Sequence, residues 1–450
     1  MTRLHRVAAA GIACLAFAGI HVTAQNLKDG QCVTNFDANT DYFPEKLNTR
    51  EEDEAKYFAI EYHNNYKVIT DHRNEKQYYL VQCGTTAPSV PQGTAVYNVP
   101  LTSVAALETT VVPYLEVLGV AESIHLVADA SSVTSSCFQK YRQESSNVTE
   151  MSTTNVTLAN EQANAVQIQF GTSYYTTDET VATAQSYEPD ILGRAAWIGY
   201  YAAFFNLESL ANDIIANITT NYNNLKEASS HYSDDEKPLV AWTMYDAPSQ
   251  YNGNKASWNV STASYKAQLT EDAGARMLNS SQLQFFDNAE FLKAITDVDV
   301  VIDETYVATT MDDLLKAYGI KDDGTYKFVT NKAVYREDGI MTPSGGYDWF
   351  SGAVVFGDAL LADVINAVNP SAPTSDFKRY WLRNVALNES VYYTDPKNCT
   401  WDETAPRPNP AITYTGDAFT MEGAASSSFV VGGWSTTLVA LLTTAYAFLA

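Results

Sequence analysis

A group of carboxylates surrounds one short apolar segment in the second half of the chain. Asp297 and Asp299 lie before and inside the segment 298–302, and Asp303 and Glu304 follow it directly. Two carboxylates can serve glycoside hydrolysis, as an acid and a base or nucleophile. Neighbouring residues of a strand point to opposite faces, however, so Asp303 and Glu304 would not form a working pair if the strand continues. We therefore expect them to contact a ligand or to form a turn, and keep hydrolysis as the alternative.

The same reasoning selects residues at the ends of other apolar strands. In an open α/β sheet, residues just past the carboxyl ends of buried strands line the crevice where ligands bind. Aromatic and hydroxyl side chains there suit a ring-bearing ligand, because apolar burial is strong and a few polar groups fix its orientation. The predicted ligand-binding residues are Thr102, Ser103, Asp129, Ser131, Thr172, Tyr174 and Tyr175 in the first half, and Trp242, Thr243, Tyr245, Asp303, Glu304 and Tyr306 in the second.

Strong catalytic motifs are missing from the sequence. It contains no GxSxG, HExxH, GxGxxG or P-loop pattern. His63, His72, His125 and His231 are scattered and are not spaced as ligands on one helix. We therefore predict a non-catalytic protein without a metal site, and the sequence indicates no particular cofactor.

Alternating strand and helix patterns predict the elements that position these residues. We expect an α/β fold of two Rossmann-like lobes joined by a long inter-lobe helix, with a ligand cleft between the lobes. The first lobe is predicted to have strands at 57–62, 67–70, 78–82, 95–101, 123–128 and 165–170, and helices at 103–118 and 131–141. The second is predicted to have strands at 239–244, 298–302 and 327–335, and helices at 261–278, 291–295 and 358–368.

The middle of the chain gives the clearest helical pattern. The segment 189–205 is apolar on nearly every side, which predicts a buried, continuous inter-lobe helix instead of a flexible hinge. A second helix follows, with apolar residues of 207–225 on one face. We divide the chain into 1–24, a signal peptide; 25–188, the first lobe; 189–230, the inter-lobe helix pair; 231–417, the second lobe; and 418–450, a lipid-attachment region.

Several short phrases of the chain carry a resemblance to a known family. They are Val99-Pro100-Leu101-Thr102-Ser103, Thr109-Thr110, Tyr114-Leu115-Glu116-Val117-Leu118-Gly119, Gly193-Arg194, 207–225, Lys237-Pro238-Leu239-Val240-Ala241-Trp242 and Asp299-Val300-Val301-Ile302-Asp303. These phrases resemble the class III periplasmic binding proteins, which carry cobalamin, haem, ferric siderophores and, in one branch, metal ions. The resemblance covers roughly 57–368 and implies a ligand cleft between two α/β lobes.

The two ends of the chain predict secretion and a lipid anchor. Arg3 and Arg6, a short apolar stretch and the small residues before Gln25 are typical of a signal peptide. Small residues from Gly423 onward, followed by an uncharged apolar tail, are typical of a glycosylphosphatidylinositol (GPI) attachment signal, with Gly423 as the predicted site. We therefore place the protein on the extracellular face of the plasma membrane, or in the cell wall.

Cysteines and glycosylation sequences fit an extracellular protein. Four cysteines outside the signal peptide predict two disulfides in one of three pairings; we favour Cys32–Cys399, which ties the chain ends together, and Cys83–Cys137. Asn-X-Ser/Thr sequences predict glycosylation at Asn147, Asn155, Asn217, Asn259, Asn279, Asn388 and Asn398.

The leading hypothesis for function is capture of a small molecule or metal complex, of the siderophore, cobalamin or haem class, at the cell surface. The net charge of −25 argues against nucleic acid as a partner. The membrane is contacted only through the lipid anchor, the receiving transporter stays open, and we expect a monomer. The alternatives are a GPI-anchored glycoside hydrolase or cell-wall-modifying enzyme, and a structural coat protein.

Overall fold

The computed structural model describes residues 26–27, 30–48, 55–172, 180–306 and 310–421. The predicted signal peptide, Gly423 and the apolar tail lie outside the described residues, as do Tyr174 and Tyr175. Within the described part, the chain forms two α/β lobes joined through a buried helix, which confirms the predicted fold class.

The first lobe contains two four-stranded sheets. One has the order β1-β2-β3-β4 and is antiparallel except for the parallel β3–β4 pair. The other has the order β7-β6-β5-β8 and is parallel throughout. The strands are β1 Phe58–Tyr62, β2 Tyr66–Asp71, β3 Lys76–Gln82, β4 Ala95–Val99, β5 Val104–Ala106, β6 Ile124–Val127, β7 Thr149–Glu150 and β8 Ile168–Phe170, and the helices are α1 Val111–Val117, α2 Ser136–Glu144 and α3 Val156–Asn164.

The predicted strand 95–101 and helix 103–118 are wrong in their bounds. The chain leaves the first sheet after Val99, turns through Pro100, and enters the parallel sheet at Val104. Leu101 donates its backbone N–H to Phe204 O, 2.9 Å away, so this crossing is fixed on the central helix. Val104–Ala106 is too short for its period to be read from the sequence, and it was absorbed into the helix that follows.

The centre of the molecule is formed by α4 Ile191–Phe205 and α5 Glu208–Ser229. All fifteen residues of α4 are buried, which confirms the predicted buried helix. Asp190 caps its first turn by accepting from Gly193 N, and Asn206 ends it in the left-handed conformation at φ 57°. The long α5 packs against α4 and leads into the second lobe.

The second lobe is built on one mixed sheet of order β12-β10-β9-β13-β14-β16, with β11 beside β9. Strands β9, β11, β13 and β14 are parallel to one another. The strands are β9 Leu239–Asp246, β10 Ser257–Val260, β11 Arg276–Met277, β12 Gln284–Phe285, β13 Val300–Asp303, β14 Val334–Arg336, β15 Ile340–Met341, β16 Arg383–Asn384 and β17 Tyr392–Tyr393, with β15 and β17 forming a separate pair. The helices are α6 Ser264–Asp272, α7 Asn288–Ala294, α8 Met311–Tyr318, α9 Lys327–Thr330, α10 Gly352–Val355 and α11 Gly357–Val368.

The segment after β17, here called the C-terminal strap (395–421), has only a 3₁₀ turn at Pro396–Asn398 as regular structure. Arg407 pairs with Glu116 of α1 at 2.9 Å, so part of the strap packs on the first lobe. The domain division predicted from the sequence places this part of the strap, within 231–417, in the second lobe. Farther along, Phe419 N donates to Ala228 O of α5. The strap therefore contacts the first lobe and then the central helix pair.

The predicted disulfide pairing is wrong. The bonds are Cys32–Cys83 and Cys137–Cys399. Val33 N donates to Cys83 O, which holds the N-terminal segment beside β3, and the strap brings Cys399 back to α2. No local sequence pattern predicts that the chain returns to α2 at this point. The assumption that a disulfide joins the two chain ends therefore gave the wrong pairing.

The glycosylation sequences lie mostly at the surface. Asn147, Asn155, Asn217, Asn279, Asn388 and Asn398 are exposed, and Asn259 on β10 is half-buried. Among the described residues, no single helix is long and apolar enough to cross a membrane. The consecutive helical segments Asp348–Val355 and Gly357–Val368 meet the criteria of length and composition only as a pair, bent by 115°.

A buried ion pair fastens the first sheet to the central helices. Lys67 of β2 and Glu208 of α5 are fully buried and 2.6 Å apart, and Lys67 also donates to Asn206 Oδ1 and Ala203 O. We predict that Lys67→Met lowers the free energy of unfolding by about 3–5 kcal/mol, because it leaves a buried carboxylate without its partner. Lys67→Met combined with Glu208→Gln should lose less in urea denaturation; an equal or larger loss would show that the carboxylate is not the cause.

The two glycines of α4 differ in the space around them. A Cβ on Gly193 would lie 3.6 Å from its nearest neighbours, whereas one on Gly199 would lie 2.7 Å from Leu47 Cδ1. We predict that Gly193→Ala stabilises the protein by about 0.5–1 kcal/mol, because alanine favours the helix. Gly199→Ala should stabilise it less or destabilise it. Equal gains in urea denaturation would contradict close packing of Leu47 on α4.

Candidate functional site

A cavity of about 330 Å³ lies between the two lobes, at the carboxyl ends of their parallel strands. On the first-lobe side it is lined by Thr109, after β5, and by Ser132, after β6. The second-lobe side includes the residues that end or follow β13 and β14, and the loop before α10. These lining residues are Asp303, Glu304, Tyr306, Arg336, Glu337, Gly345, Gly346, Tyr347 and Phe350.

The lobes touch directly at one edge of this cavity. Ser344 Oγ donates to Ser131 O at 2.5 Å. A Cβ on Gly346 would lie 2.7 Å from Ser132 O, so only glycine permits this close approach. Nearby, Asp348 accepts hydrogen bonds from Thr134 of the first lobe and from Trp381 Nε1 of the second. The cavity is therefore bordered by a fixed contact between the lobes.

Three aromatic side chains lie together on the second-lobe side. The ring centroids of Tyr306 and Tyr347 are 6.2 Å apart, and those of Tyr347 and Phe350 are 6.0 Å apart. Tyr306 is 73% exposed and Phe350 is 56% exposed. Tyr306 follows β13, whereas the other two follow β15, so the fold brings the rings together from separate segments. Exposed rings that converge on a cavity are suited to stacking on a ligand.

Two glutamates, Glu304 and Glu337, line the cavity, and the buried Lys266 lies against Glu304. Lys266 of α6 forms a short ion pair with Glu304 Oε1, and Glu304 is in turn hydrogen bonded to Glu337. Burial, and then the charge of Glu304, raises the pKa of Glu337 well above its usual range. Burial, the largest single influence, lowers the pKa of Lys266, but the neighbouring acids, led by Glu304, together outweigh it and raise that pKa. Glu337 is therefore the acid of this pair that burial favours in its protonated form, next to the Lys266–Glu304 ion pair.

A second charged network lies beneath the first. Arg336 is buried and donates to Asp303 Oδ2, Asp338 Oδ2 and Thr305 O. Asp303 Oδ1 also accepts from Thr305 and from Tyr318, at 2.6 Å each. These contacts occupy the hydrogen-bonding groups of Asp303, and they give it a structural role under the site.

The predicted ligand-binding residues are divided by the structure. Glu304 and Tyr306 line the cavity, and Asp303 lies at its base. Asp129 and Ser131 lie in the turn after β6 that borders it, where Asp129 accepts from Ser131 and Ser132. Thr172 follows β8, and its N–H donates to Glu108 Oε1.

Five other predicted ligand-binding residues do not reach the cavity. Strand β9 continues to Asp246, so Trp242, Thr243 and Tyr245 lie inside the strand and not past its end. Trp242 and Thr243 are buried and hydrogen bonded to Thr270 and Tyr318, while Tyr245 packs on Trp258. Thr102 and Ser103 precede β5 and bind Gln167, which places them at the opposite end of the sheet.

Several residues of the cavity were missed from the sequence. Thr109 and Ser132 were hidden by the wrong bounds of the first-lobe helices. The segment Gly345-Gly346-Tyr347 was a visible signal, because a glycine pair between polar and aromatic residues is typical of a turn that presents side chains.

A larger cavity among the described residues, of about 1020 Å³, does not favour a competing site. It lies at the amino ends of β9, β13 and β14. Several of its cations are paired with acids, including Lys327 with Asp299 and Arg379 with Glu389. In open α/β sheets, ligands bind at the carboxyl ends instead. No group of three or more His, Cys, Asp or Glu in the described residues is arranged to hold a metal.

Comparisons with known proteins give structural likenesses only. No family model matches the chain, and no curated protein matches it. A substrate-binding protein of an ABC transporter from Listeria monocytogenes EGD-e is 14% identical with a TM-score of 0.40, covering 60% of this chain and 98% of that one. A periplasmic heme-binding protein from Pseudomonas aeruginosa is 14% identical with a TM-score of 0.41, covering 65% and 99%. A TroA-like periplasmic binding protein from Veillonella parvula is 15% identical with a TM-score of 0.42, covering 64% and 95%. Because these TM-scores are below 0.5, they decide nothing about the ligand of this chain.

The raised pKa of Glu337, beside the cavity, predicts a pH dependence of stability. Since the pKa of Glu337 is raised in the folded protein, its contribution is fully present below the unfolded value of about 4.3 and is lost as the pH rises towards the folded value. Glu337→Gln carries no proton to lose. We therefore expect stability to fall less between about pH 5 and pH 8 in this variant than in the parent.

Urea denaturation at both pH values measures the difference. Glu161→Gln is the matched control, because Glu161 on α3 is exposed, and it should behave like the parent. If the parent and Glu337→Gln lose the same free energy of unfolding across this interval, Glu337 does not hold the proton.

Proposed function

We propose that this chain is a surface-displayed solute-binding protein that holds a small molecule between its two lobes without converting it. The observation that carries the proposal is the inter-lobe cavity, which is lined from both lobes at the carboxyl ends of the parallel strands of each. Its wall combines exposed rings with a few polar groups, the usual composition of a ligand site. Solvent-facing glycosylation sequences support an extracellular location.

The size of the cavity favours a small ligand among the classes considered. At about 330 Å³, the part formed by the described residues is near the lower end of the range of roughly 300–1,000 Å³ for ligand pockets. Haem, ferric siderophores and cobalamins would need the contact between Ser344 and Ser131 to open. The buried α4 and the strap oppose large movements of the lobes, so we favour a compact solute.

The contacts of the carboxylates count against the hydrolase alternative. Retaining glycosidases place two carboxyl groups about 5–5.5 Å apart, and inverting ones about 6.5–9.5 Å apart. Glu304 and Glu337 are in hydrogen-bonding contact, which leaves no room for a sugar or a water between them. Asp303 is held by Arg336, Thr305 and Tyr318. These acids therefore form a binding wall and not an acid–base pair.

A ligand panel tests the proposal on the purified full-length protein. A ligand that binds only the folded state stabilises it by about 2.7 kcal/mol when its concentration is 100 times Kd. This stabilisation raises the thermal midpoint of unfolding. The panel contains small organic cations, sugars, aromatic acids, haem, cobalamin, a ferric siderophore and divalent metals. We expect an upshift with at least one compact solute.

A cavity-filling variant localises the effect. Thr109→Trp places an indole in the cavity and should abolish the upshift. Thr153→Trp, at an exposed loop position, should retain it. An upshift that survives intact in Thr109→Trp would move binding elsewhere, and a panel without any upshift would count against solute binding.

A further inference from the structure

We propose that the occupant of the inter-lobe cavity is a small organic cation with an alkylated ammonium group, held against Tyr306, Tyr347 and Phe350 beside Glu304. This inference rests on the proposed function and names the chemical class of its ligand. It is drawn from ring geometry, from the hydrogen bonds already made by the cationic side chains, and from the balance of charge around the cavity.

Tyr347 contacts both of the other rings, and the three rings are here called the aromatic cage. The ring centroid of Tyr347 lies 6.2 Å from that of Tyr306 and 6.0 Å from that of Phe350, with interplanar angles of 39° and 58°. An ammonium group within about 6 Å of a ring centroid is attracted by the negative face of the ring. Tilted rings on two segments can surround such a group, whereas a flat ligand would stack on a single ring face. Quaternary ammonium ions are the ligands for which aromatic cages are best suited.

The described cationic side chains at or just behind the cavity wall already form ion pairs and hydrogen bonds with protein groups. Arg336 donates to Asp303, Asp338 and Thr305, and it is hydrogen bonded to Tyr347. Lys266 is paired with Glu304. The N–H groups of Gly345 and Gly346 donate to Thr342. An anionic ligand would therefore have to break existing bonds, while a cation meets carboxylate and hydroxyl oxygens.

Charge balance also favours a cation. The groups that face Glu337 are Asp303 and Glu304 from the end of β13, Tyr265 and Lys266 from α6, and its neighbour Arg336. Burial and the charge of Glu304 favour a proton on Glu337, which keeps the carboxyl pair from carrying two negative charges. A bound cation can replace that proton, so binding should release protons to solvent and tighten as the pH rises. The net charge of −25 attracts cations towards the protein as a whole.

The decisive measurement compares two ligands of the same shape. Choline and 3,3-dimethyl-1-butanol differ in the charge of the branched head group, so isothermal titration of both into the full-length protein isolates that charge. We expect choline to bind at least about tenfold more tightly. Titrations of choline in two buffers with different ionisation enthalpies should show proton release.

Substitutions assign the effect to the cage. Tyr306→Leu and Phe350→Leu should each weaken choline binding several-fold, and Tyr306→Phe should retain more affinity than Tyr306→Leu because it keeps the ring. Glu304→Gln should weaken choline more than the neutral alcohol. Tyr251→Leu, at a 90% exposed ring on the second lobe, is the matched control and should bind as the parent does. Since Tyr306 and Phe350 are exposed, the thermal midpoint without ligand should stay unchanged and shows that the variants fold.

The outcomes separate this inference from the proposed function. Equal or tighter binding of 3,3-dimethyl-1-butanol, or choline binding unaffected by the cage substitutions, overturns the ammonium site. Absence of choline binding, with another panel compound lost in Thr109→Trp, overturns the ligand class and leaves solute binding standing. Absence of binding by every panel compound overturns both.

Discussion

The burial of α4 on every side is the constraint on which the arrangement of the lobes depends. Its Trp197 packs on Phe58 of the first sheet, at 5.0 Å between ring centroids, and Tyr114 of α1 donates to Arg194 O. On the other side, Arg194 stacks on Tyr265 of α6, and Gln268 of α6 binds the capping residue Asp190. The two lobes thus share one helix as part of their cores. Because α4 has no solvent-facing side, rotating one lobe against the other would expose apolar surface. The parallel strands of both lobes therefore keep their carboxyl ends directed at one cavity.

Polar contacts fix the orientation of the elements that pack around this apolar core. The buried Lys67–Glu208 pair holds the first sheet at the junction of α4 and α5. The strap is held at one end by Cys137–Cys399 and the Glu116–Arg407 ion pair, and farther along by hydrogen bonds to α5 and to Asn369. These contacts specify one arrangement more than they add stability, since buried ion pairs gain little over apolar packing of the same volume. Together with the Ser344–Ser131 contact, they favour entry of a ligand by local movement of side chains and loops over wide opening of the lobes.

Much of the fold could be predicted from the sequence, whereas only part of the site could. The apolar run 189–205 and the strand before Asp303 follow from local pattern, because residues buried on all sides leave a continuous apolar signal. Short parallel strands such as Val104–Ala106 give no such signal, and this error placed Thr102 and Ser103 at the wrong end of a strand. Trp242 was misassigned because the end of β9 is set by its pairing with β10. The return of Cys399 to α2, and the contact between Tyr306 and Tyr347, depend on tertiary contacts between segments distant in the chain.

Two pairs of neighbouring carboxyl groups are largely buried in this protein, but only one of them lines the inter-lobe cavity. Glu403 of the strap is hydrogen bonded to Glu116, and burial together with the charge of Glu116 raises the pKa of Glu403 to about 10. Glu304 and Glu337 form a similar arrangement. Lys266 pairs with Glu304 in the way that Arg407 pairs with Glu116. The first pair joins the strap to α1, and neither of its acids lines the inter-lobe cavity, so its proton serves the fold. Both acids of the second pair line that cavity, next to exposed rings. A proton held there neutralises an acid at the cavity wall, and the proposed positive ligand would do the same. The position of the second pair, more than its chemistry, is what links it to the proposed binding.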